Sequence, residues 1–232
     1  MGFSDSHHFR KMIAGGCMVV APLLFLVAFV VSPRLETGAR DQLNVAATHL
    51  DRYFIANLVA MVGLFLFVPV VLGLMHMLRE RRPEYSAVGG GLTMIGVLGS
   101  LVGLGAGFAI WQMARDGVQA ADVSALHGML HTAGAVIPLY IVGMVGAVGA
   151  VVLGAGLWMA RVVDWWMALL FAVGIVCINV AFPAGVLALA IVGAALLLVG
   201  TASIGLLVLR ESDADWEHTP DYRGMRPAPG TS

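Results

Sequence analysis

Histidine is the residue type that gives this chain most of its capacity for chemistry, and two histidines stand at a spacing that suits a metal ion. His127 and His131 are four positions apart, so on a helix both imidazoles face one side and can ligate the same metal. His49 lies in a polar segment that we assign to the same surface below. The carboxylates assigned to that surface are Asp41, Asp51, Asp116 and Asp122. Three imidazoles with a carboxylate could hold zinc or copper.

A hydrogen-bonded cap explains the same residues without a metal. Buried imidazoles need partners, and carboxylates can serve as partners in place of a metal. Gly128 follows the first histidine, where zinc proteases have a glutamate, so that motif is incomplete. We expect hydrogen bonding first and metal or haem ligation second, and the identity of any cofactor stays open. The chain also has no phosphate-binding loop, nucleophile elbow or Cys-x-x-Cys motif, which disfavours an enzyme.

The composition excludes a soluble globular enzyme. Of the 232 residues, 59% are hydrophobic and only 12% are charged, whereas soluble domains are about a quarter charged. The 13 basic and 14 acidic residues nearly balance, so no basic face for nucleic acid is expected. Every basic residue except Lys11 is arginine, and alanine, glycine and valine are abundant, which indicates a bacterial genome of high GC content. The partner that this composition predicts is the lipid bilayer.

Six apolar segments are long enough to cross a bilayer, which needs about 20 apolar residues per helix. Polar tails flank them, residues 1–11 and 210–232, and the second tail has the composition of a disordered segment. The predicted fold class is therefore an all-α bundle of six transmembrane helices over residues 12–209. The predicted spans are Met12–Val31, Tyr53–Leu78, Ala87–Met113, Ala135–Trp158, Trp165–Phe182 and Val186–Leu209.

One apolar segment is too long for a single span. Val123–Ala160 carries no charge over 38 residues, and a helix of that length would measure about 57 Å. We predict that its first part, Val123–His131, forms a short interfacial helix that is capped by Asp122 or by Ser124. The 20-residue polar loop Ser32–Asp51 is long enough to fold over that helix, which predicts a short extracytoplasmic cap. The histidines that this cap would bring together are His49, His127 and His131.

The basic residues predict the orientation, because short cytoplasmic loops carry an excess of Arg and Lys. Nine basic residues flank one side of the spans and four flank the other. The side with nine holds both termini, so both are predicted to be cytoplasmic, in the inner (plasma) membrane of a bacterium. The nine are Arg10, Lys11, Arg79, Arg81, Arg82, Arg161, Arg210, Arg223 and Arg226, and the four are Arg34, Arg40, Arg52 and Arg115.

Two predicted spans carry stripes of small residues, which let helix backbones approach each other closely in lipid. The third span has Gly99, Gly103 and Gly107, and the fourth has Gly146, Ala150 and Gly154. The stripes predict that these two spans pack closely within one bundle. A face for a homodimer is the alternative.

Few polar groups interrupt the predicted spans. They contain no Asp, Glu, Lys or Arg, which disfavours an ion-coupled pump. Asn57 and Asn179 are explained by interhelical hydrogen bonds. Similar separations of prolines in the two halves of the chain leave open a small transporter that is built from inverted three-span repeats.

Three stretches of the chain carry a family resemblance. They are Arg10–Gly15 with Ala21–Val27, Phe65–Leu74 with Leu78–Arg81, and Phe182–Gly185. They are similar to the first span, the second span with its inner loop, and the last turn of a family of six-helix membrane proteins of high-GC actinobacteria. The likeness extends over residues 10–210 and implies a six-span fold. The family has no established activity, so the resemblance implies no catalytic residues and no cofactor.

The sequence as a whole favours a non-catalytic membrane protein. In this interpretation the chain is a subunit or assembly partner of a complex, or it binds an apolar, lipid-like ligand. Other membrane subunits and a second copy of the chain are the protein partners that stay open. The alternatives are a metal- or haem-binding membrane enzyme that uses His49, His127 and His131, and the small transporter described above.

Overall fold

The computed structural model describes residues 3–131 and 136–210, with side chains for residues 8–130, 138 and 140–210. The regular elements in these residues are α-helices, without a strand. Residues 211–232 of the predicted C-terminal tail lie outside the described residues. The helices are α1 (Phe3–Val31), α2 (Ala39–Thr48), α3 (Leu50–Leu78), α4 (Pro83–Arg115), α5 (Ala120–His131), α6 (Val136–Met159), α7 (Trp165–Ala184) and α8 (Leu187–Arg210).

Six of these helices, α1, α3, α4, α6, α7 and α8, are long and apolar enough to cross a membrane. The predicted all-α fold with six spans is therefore confirmed. Because the chain crosses the bundle six times, an even number, the start of the first span and the end of the last span lie on the same side of the bundle. These are the ends nearest to the chain termini. We call the half of the bundle nearest these ends the terminal half, and the half nearest α2 and α5 the cap half.

Local sequence explains two of the helix boundaries. α4 begins with Pro83 in its first turn, where a backbone N–H would have no acceptor within the helix, so that proline loses no hydrogen bond there. α7 ends at Gly185, which adopts a left-handed φ of 66° that favours glycine. Its N–H donates to the carbonyls of Ala181 and Phe182, and α8 starts two residues later. The tight turn predicted between the last two spans follows from this glycine.

The six long helices form a closed ring in the order α1, α3, α4, α6, α7 and α8, and α8 contacts α1. The most extensive contacts join α4 to α6 and α7 to α8. α3 also touches α6 across the ring. This crossing contact lies in the terminal half, because a Cβ added at Gly156 of α6 would lie 3.0 Å from Leu78 Cδ2 of α3.

Large apolar side chains fill the ring in the terminal half. Leu74 and Leu78 of α3, Leu153 of α6, Phe171 of α7 and Ile204 of α8 are all completely buried. Each lies in the part of its helix that is nearer to the chain termini. The main hydrophobic core is therefore concentrated in the terminal half.

Glycines bring α4 and α6 into backbone contact. A Cβ added at Gly89 would lie 2.6 Å from the Leu153 nitrogen, and one added at Gly96 would collide with the Gly146 Cα atom. A step of seven residues along α4 is thus matched by a step of seven back along α6, as antiparallel helices require. Only glycine permits so short a separation.

The cap helices α2 and α5 have a small hydrophobic core of their own. Leu43 of α2 packs with Leu126 of α5, and both are buried. Ile110 and Met113 at the end of α4 pack against this pair. The cap is therefore attached to the bundle chiefly through α4. The short helix predicted before the fourth span is confirmed as α5.

One element of the cap was not predicted from the sequence. The polar segment of residues 32–51, expected to be a loop, contains the ten-residue helix α2. Its buried residues Ala39, Leu43 and Ala46 are spaced by four and three positions, which is the spacing of one helix face. That signal is short and lies among polar residues, so it is weak in the sequence.

The start of α5 also differs from the prediction. The helix begins at Ala120 rather than at Val123, so Asp122 is its third residue rather than its cap. The Asp122 carboxylate accepts a hydrogen bond from the Gln119 backbone N–H at 3.1 Å. Asp122 therefore stabilises the helix start from within its first turn, as the acidic residue of a capping box does.

Candidate functional site

The ring of helices surrounds a cavity of about 520 Å³ in the cap half. All six spans and both cap helices contribute to its wall. On α3 the lining residues run from Tyr53 to Phe67, which corresponds to roughly 21 Å along the helix. Pockets for small molecules typically have volumes of about 300–1,000 Å³. This cavity is the candidate functional site.

The cavity begins at the backbone contact of α4 and α6, because Gly96 and Gly146 both line it. Beyond the contact of Gly96 with Gly146, the same register would pair Gly99 with Gly143 one turn closer to the cap. A Cβ added at Gly143 would meet Asn179 Oδ1 at 3.0 Å, but no atom of α4 within 4 Å. Gly99 and Gly143 both line the cavity. The cavity therefore extends along both helices from their backbone contact toward the cap.

The deep end of the cavity is apolar. Phe67 of α3, Val97 of α4, Ile175 of α7 and Leu197 of α8 line it and are buried. These side chains also belong to the main hydrophobic core, so the cavity ends where the packed terminal half begins. Such a wall suits hydrocarbon, which binds through van der Waals contacts.

Two asparagine amides line the cavity at an intermediate depth. Asn57 and Asn179 lie about 10 Å or less from the cap ends of α3 and α7. Each amide nitrogen donates to a carbonyl of its own helix, at 2.9 Å to Tyr53 for Asn57 and at 2.9 Å to Ile175 for Asn179. The prediction of interhelical hydrogen bonds was therefore wrong. In a helix the amide reaches the carbonyl four residues earlier, which satisfies one donor without a neighbouring helix.

Glycines on the neighbouring helices make room for both amides. A Cβ added at Gly107 of α4 would lie 2.5 Å from Asn57 Oδ1, and one at Gly143 of α6 would lie 3.0 Å from Asn179 Oδ1. The two asparagines belong to α3 and α7, which are not neighbours in the ring. Tyr53, whose backbone carbonyl accepts the hydrogen bond from Asn57, lines the cavity as well. Polar groups therefore face the cavity from two sides.

The linker between α1 and α2 forms the polar end of the cavity. Arg34 and Glu36 of the linker line it there, together with Gln42 of α2. Gln42 Nε2 donates to the Glu36 carbonyl at 2.8 Å. Arg52 Nε donates to the Val31 carbonyl at 3.2 Å, where the linker leaves α1. These two hydrogen bonds hold the linker, and with it Arg34, over the cap end of the cavity.

The cavity reaches the outer surface of the bundle between α4, α5 and α6. Met129 of α5 and Tyr140 and Met144 of α6 line it, yet they are 46%, 42% and 48% exposed. Ser100 of α4 also lines the cavity and is exposed. On this side the described wall of the cavity is therefore closest to the surrounding lipid.

The structure describes two of the three histidines that were predicted to form a site. His49 lies between α2 and α3 and His127 lies in α5, and both are exposed and outside the cavity wall. The side chain of His131 lies outside the described residues. Among the residues with described side chains, no group of three or more His, Cys, Asp or Glu could hold a metal ion. The three-histidine site stays a prediction.

The two predicted stripes of small residues overlap at the cavity, since Gly146 of the fourth span lines it together with the stripe of the third span. The stripe of the third span, Gly99, Gly103 and Gly107, lines the cavity. In the other stripe, Gly146 contacts α4, whereas a Cβ at Gly154 would lie 3.0 Å from the Ala168 carbonyl of α7. Ala150 between them is completely buried. A role of either stripe in a homodimer stays a prediction.

Several residues of the cavity were not identified from the sequence. Arg34 and Glu36 were assigned to the flanks of the spans, Tyr53 to the end of the second span, and the two asparagines only to helix packing. Polar side chains at similar depth in different spans are the one signal that could have linked them. Comparisons of the chain with models of protein families, with curated proteins and with solved structures found no match. The resemblance to the actinobacterial family thus remains a prediction.

Proposed function

We propose that this membrane protein binds one lipid-like molecule in the cavity of its cap half. The observation that carries this proposal is the apolar cavity of about 520 Å³, whose wall includes exposed residues between α4, α5 and α6. We expect the ligand to enter by this lateral route. A ligand that enters from the side has to be soluble in the bilayer. The apolar walls favour hydrocarbon, and the amides of Asn57 and Asn179 favour a ligand that also has hydrogen-bonding groups.

The chemistry of the walls supports binding rather than catalysis or ion pumping. The described lining residues that belong to the spans carry no charge, and the two charged lining residues lie in the α1–α2 linker. Ion-coupled transport through a bundle depends on ionisable groups at membrane depth. A neutral, apolar wall has the properties of a site that holds a hydrocarbon chain.

Native mass spectrometry of the purified full-length chain tests the proposal. We expect about one lipid-like molecule per chain to remain bound after gentle detergent extraction. Ser100→Phe should abolish this adduct, because the new ring would occupy the lateral route. Leu98→Phe is the matched control, since Leu98 is 55% exposed on the same helix and does not line the cavity. It should keep the adduct.

Two results would contradict the proposal. One is a wild-type chain without bound lipid even when it is extracted directly into native-membrane nanodiscs. The other is equal lipid occupancy in Ser100→Phe and Leu98→Phe. Stoichiometric partner chains in the same preparation, with no lipid in the cavity, would favour the role as a subunit of a complex instead.

We further propose that the cap faces the outside of the plasma membrane, with both termini in the cytoplasm. Nine basic residues flank the terminal side of the spans and four flank the cap side, and this excess supports the orientation. A fluorescent reporter that folds only in the cytoplasm, fused after Ser232, should fluoresce. The same reporter inserted at Gly117, in the α4–α5 loop, should stay dark. The reverse result would place the cap in the cytoplasm.

A further inference from the structure

The cavity changes in chemistry from one end to the other. Its cap end is lined by the charged residues Arg34 and Glu36, its middle by Asn57 and Asn179, and its deep end by buried apolar residues such as Leu197. A ligand that matches this order has a charged head, hydrogen-bonding groups next to it and a hydrocarbon tail. This is the order of groups in a phospholipid, whose ester groups lie between phosphate and chains.

Arg34 determines which charge the head can carry. It is the one cation among the described residues that line the cavity, and it is exposed rather than buried in an ion pair. Glu36 is the one anion there, and the structure records no ion pair between the two within the described part of the chain. A guanidinium offers two parallel N–H donors, whose geometry fits two oxygens of a phosphate group.

We infer that the ligand is a phospholipid whose phosphate binds Arg34 and whose acyl chain extends toward Leu197 in the deep end of the cavity. The inference rests on the proposed lipid-binding function and adds the head group and the orientation. Glu36 then accepts hydrogen bonds from hydroxyl or ammonium groups of the head. The second amide hydrogen of Asn179 donates to an ester carbonyl. The lateral route between α4, α5 and α6 admits the lipid from the leaflet on the cap side.

The test compares two lipids that differ only in the head. The delipidated full-length protein is titrated in detergent with phosphatidylglycerol and with diacylglycerol of identical chains, and binding is followed by native mass spectrometry. The wild-type chain should bind phosphatidylglycerol about tenfold more tightly, as expected for a charge-assisted contact. Arg34→Gln should remove this preference by weakening phosphatidylglycerol alone. Arg34→Lys keeps the positive charge but lacks the two parallel N–H donors of the guanidinium. It should therefore retain only part of the preference for phosphatidylglycerol.

Arg40→Gln is the matched control. Arg40 is an exposed arginine of the same cap that does not line the cavity, so its loss changes the net charge equally. Its lipid preference should equal that of the wild type. If Arg40→Gln and Arg34→Gln reduce the preference equally, the charge of the cap attracts the lipid and the inference is wrong.

The outcomes separate this inference from the proposed function. Equal binding of both lipids by the wild-type chain would overturn the phosphate assignment and leave lipid binding standing. Binding of neither lipid would contradict lipid binding itself. A third experiment tests whether inorganic phosphate or glycerol phosphate competes with phosphatidylglycerol for the site. If they compete with phosphatidylglycerol at millimolar concentration, the site recognises a soluble phosphate and the lipid assignment is wrong.

Discussion

The terminal half and the cap half of the bundle both contain glycines on α4, but these glycines have different surroundings in the two halves. In the terminal half, Gly89 and Gly96 bring the backbones of α4 and α6 into contact, and large side chains such as Leu153 fill the ring. Gly99 and Gly103, further toward the cap on the same helix α4, line the cavity, and Gly96 contributes both to the helix contact and to the cavity wall. A stripe of small residues therefore indicates where backbone is uncovered, but not whether a helix or a ligand covers it.

The difference follows from how a ring of six helices fills its axis. In the terminal half α3 crosses the ring to touch α6, and leucines and phenylalanines occupy the remaining space. In the cap half the axis of the ring is occupied by the cavity, and the polar side chains of Asn57 and Asn179 line it together with apolar ones. The terminal half is thus filled by packed side chains, and the cap half contains the cavity.

The largest difference between the halves should appear when leucine is replaced by alanine. Leu153→Ala empties a completely buried position and should lower the free energy of unfolding by about 2 kcal/mol or more. Leu64 is nearly as well buried but lines the cavity, so Leu64→Ala only enlarges an existing space. It should have less than half the effect. Thermal unfolding in one detergent measures both, and equal losses would mean that the two halves are packed alike.

The second prediction concerns the backbone contact that separates the halves. A Cβ at Gly96 collides with the Gly146 backbone, which cannot move without shifting a helix, so Gly96→Ala should destabilise the chain by about 1–3 kcal/mol. Gly105 on the same helix has nothing within 4 Å of an added Cβ. Gly105→Ala should be neutral, or stabilising by up to about 1 kcal/mol through helix propensity. The comparison fails if both variants melt at the same temperature.

The third prediction tests the glycines of the cap half. In Gly107→Ala the added Cβ would lie 2.5 Å from Asn57 Oδ1, and this side-chain end can rotate away. The stability should change by less than about 1 kcal/mol, because the displaced hydrogen bond stays within one helix. Lipid binding should weaken several-fold, while Gly105→Ala should bind as the wild type does. A loss of stability as large as that of Gly96→Ala would show that Gly107 serves packing.

The smallest effect is expected for the histidines of the cap. We expect hydrogen bonding of His49, His127 and His131, with metal ligation second, so His127→Ala should change the stability by less than about 1 kcal/mol. Elemental analysis of wild-type and variant protein purified without chelators measures the metal content. About one zinc or copper per chain, lost in His127→Ala, would instead establish a metal site in the cap.

The spans could be predicted closely, whereas the cavity could not. Tyr53–Leu78 was predicted for the helix Leu50–Leu78, and Trp165–Phe182 for Trp165–Ala184. Such boundaries depend on hydropathy and on neighbouring breakers, which are properties of consecutive residues. α2 was missed because its apolar face has only three residues, Ala39, Leu43 and Ala46. The hydrogen bonds of the two asparagines were assigned to the wrong partners, because the helix to which an amide donates depends on the packing around it.

The sequence by itself determined that six helices cross the membrane, that the free ends of the first and last spans share one side, and that a short helix precedes the fourth span. These features depend on runs of adjacent residues and on the length of an uncharged segment. Only the tertiary structure decided which helices are neighbours in the ring and where the cavity lies among them. The contact of α4 with α6 depends on the pairing of Gly96 with Gly146, fifty positions apart. No local pattern encodes that pairing, because it results from the simultaneous packing of all six helices.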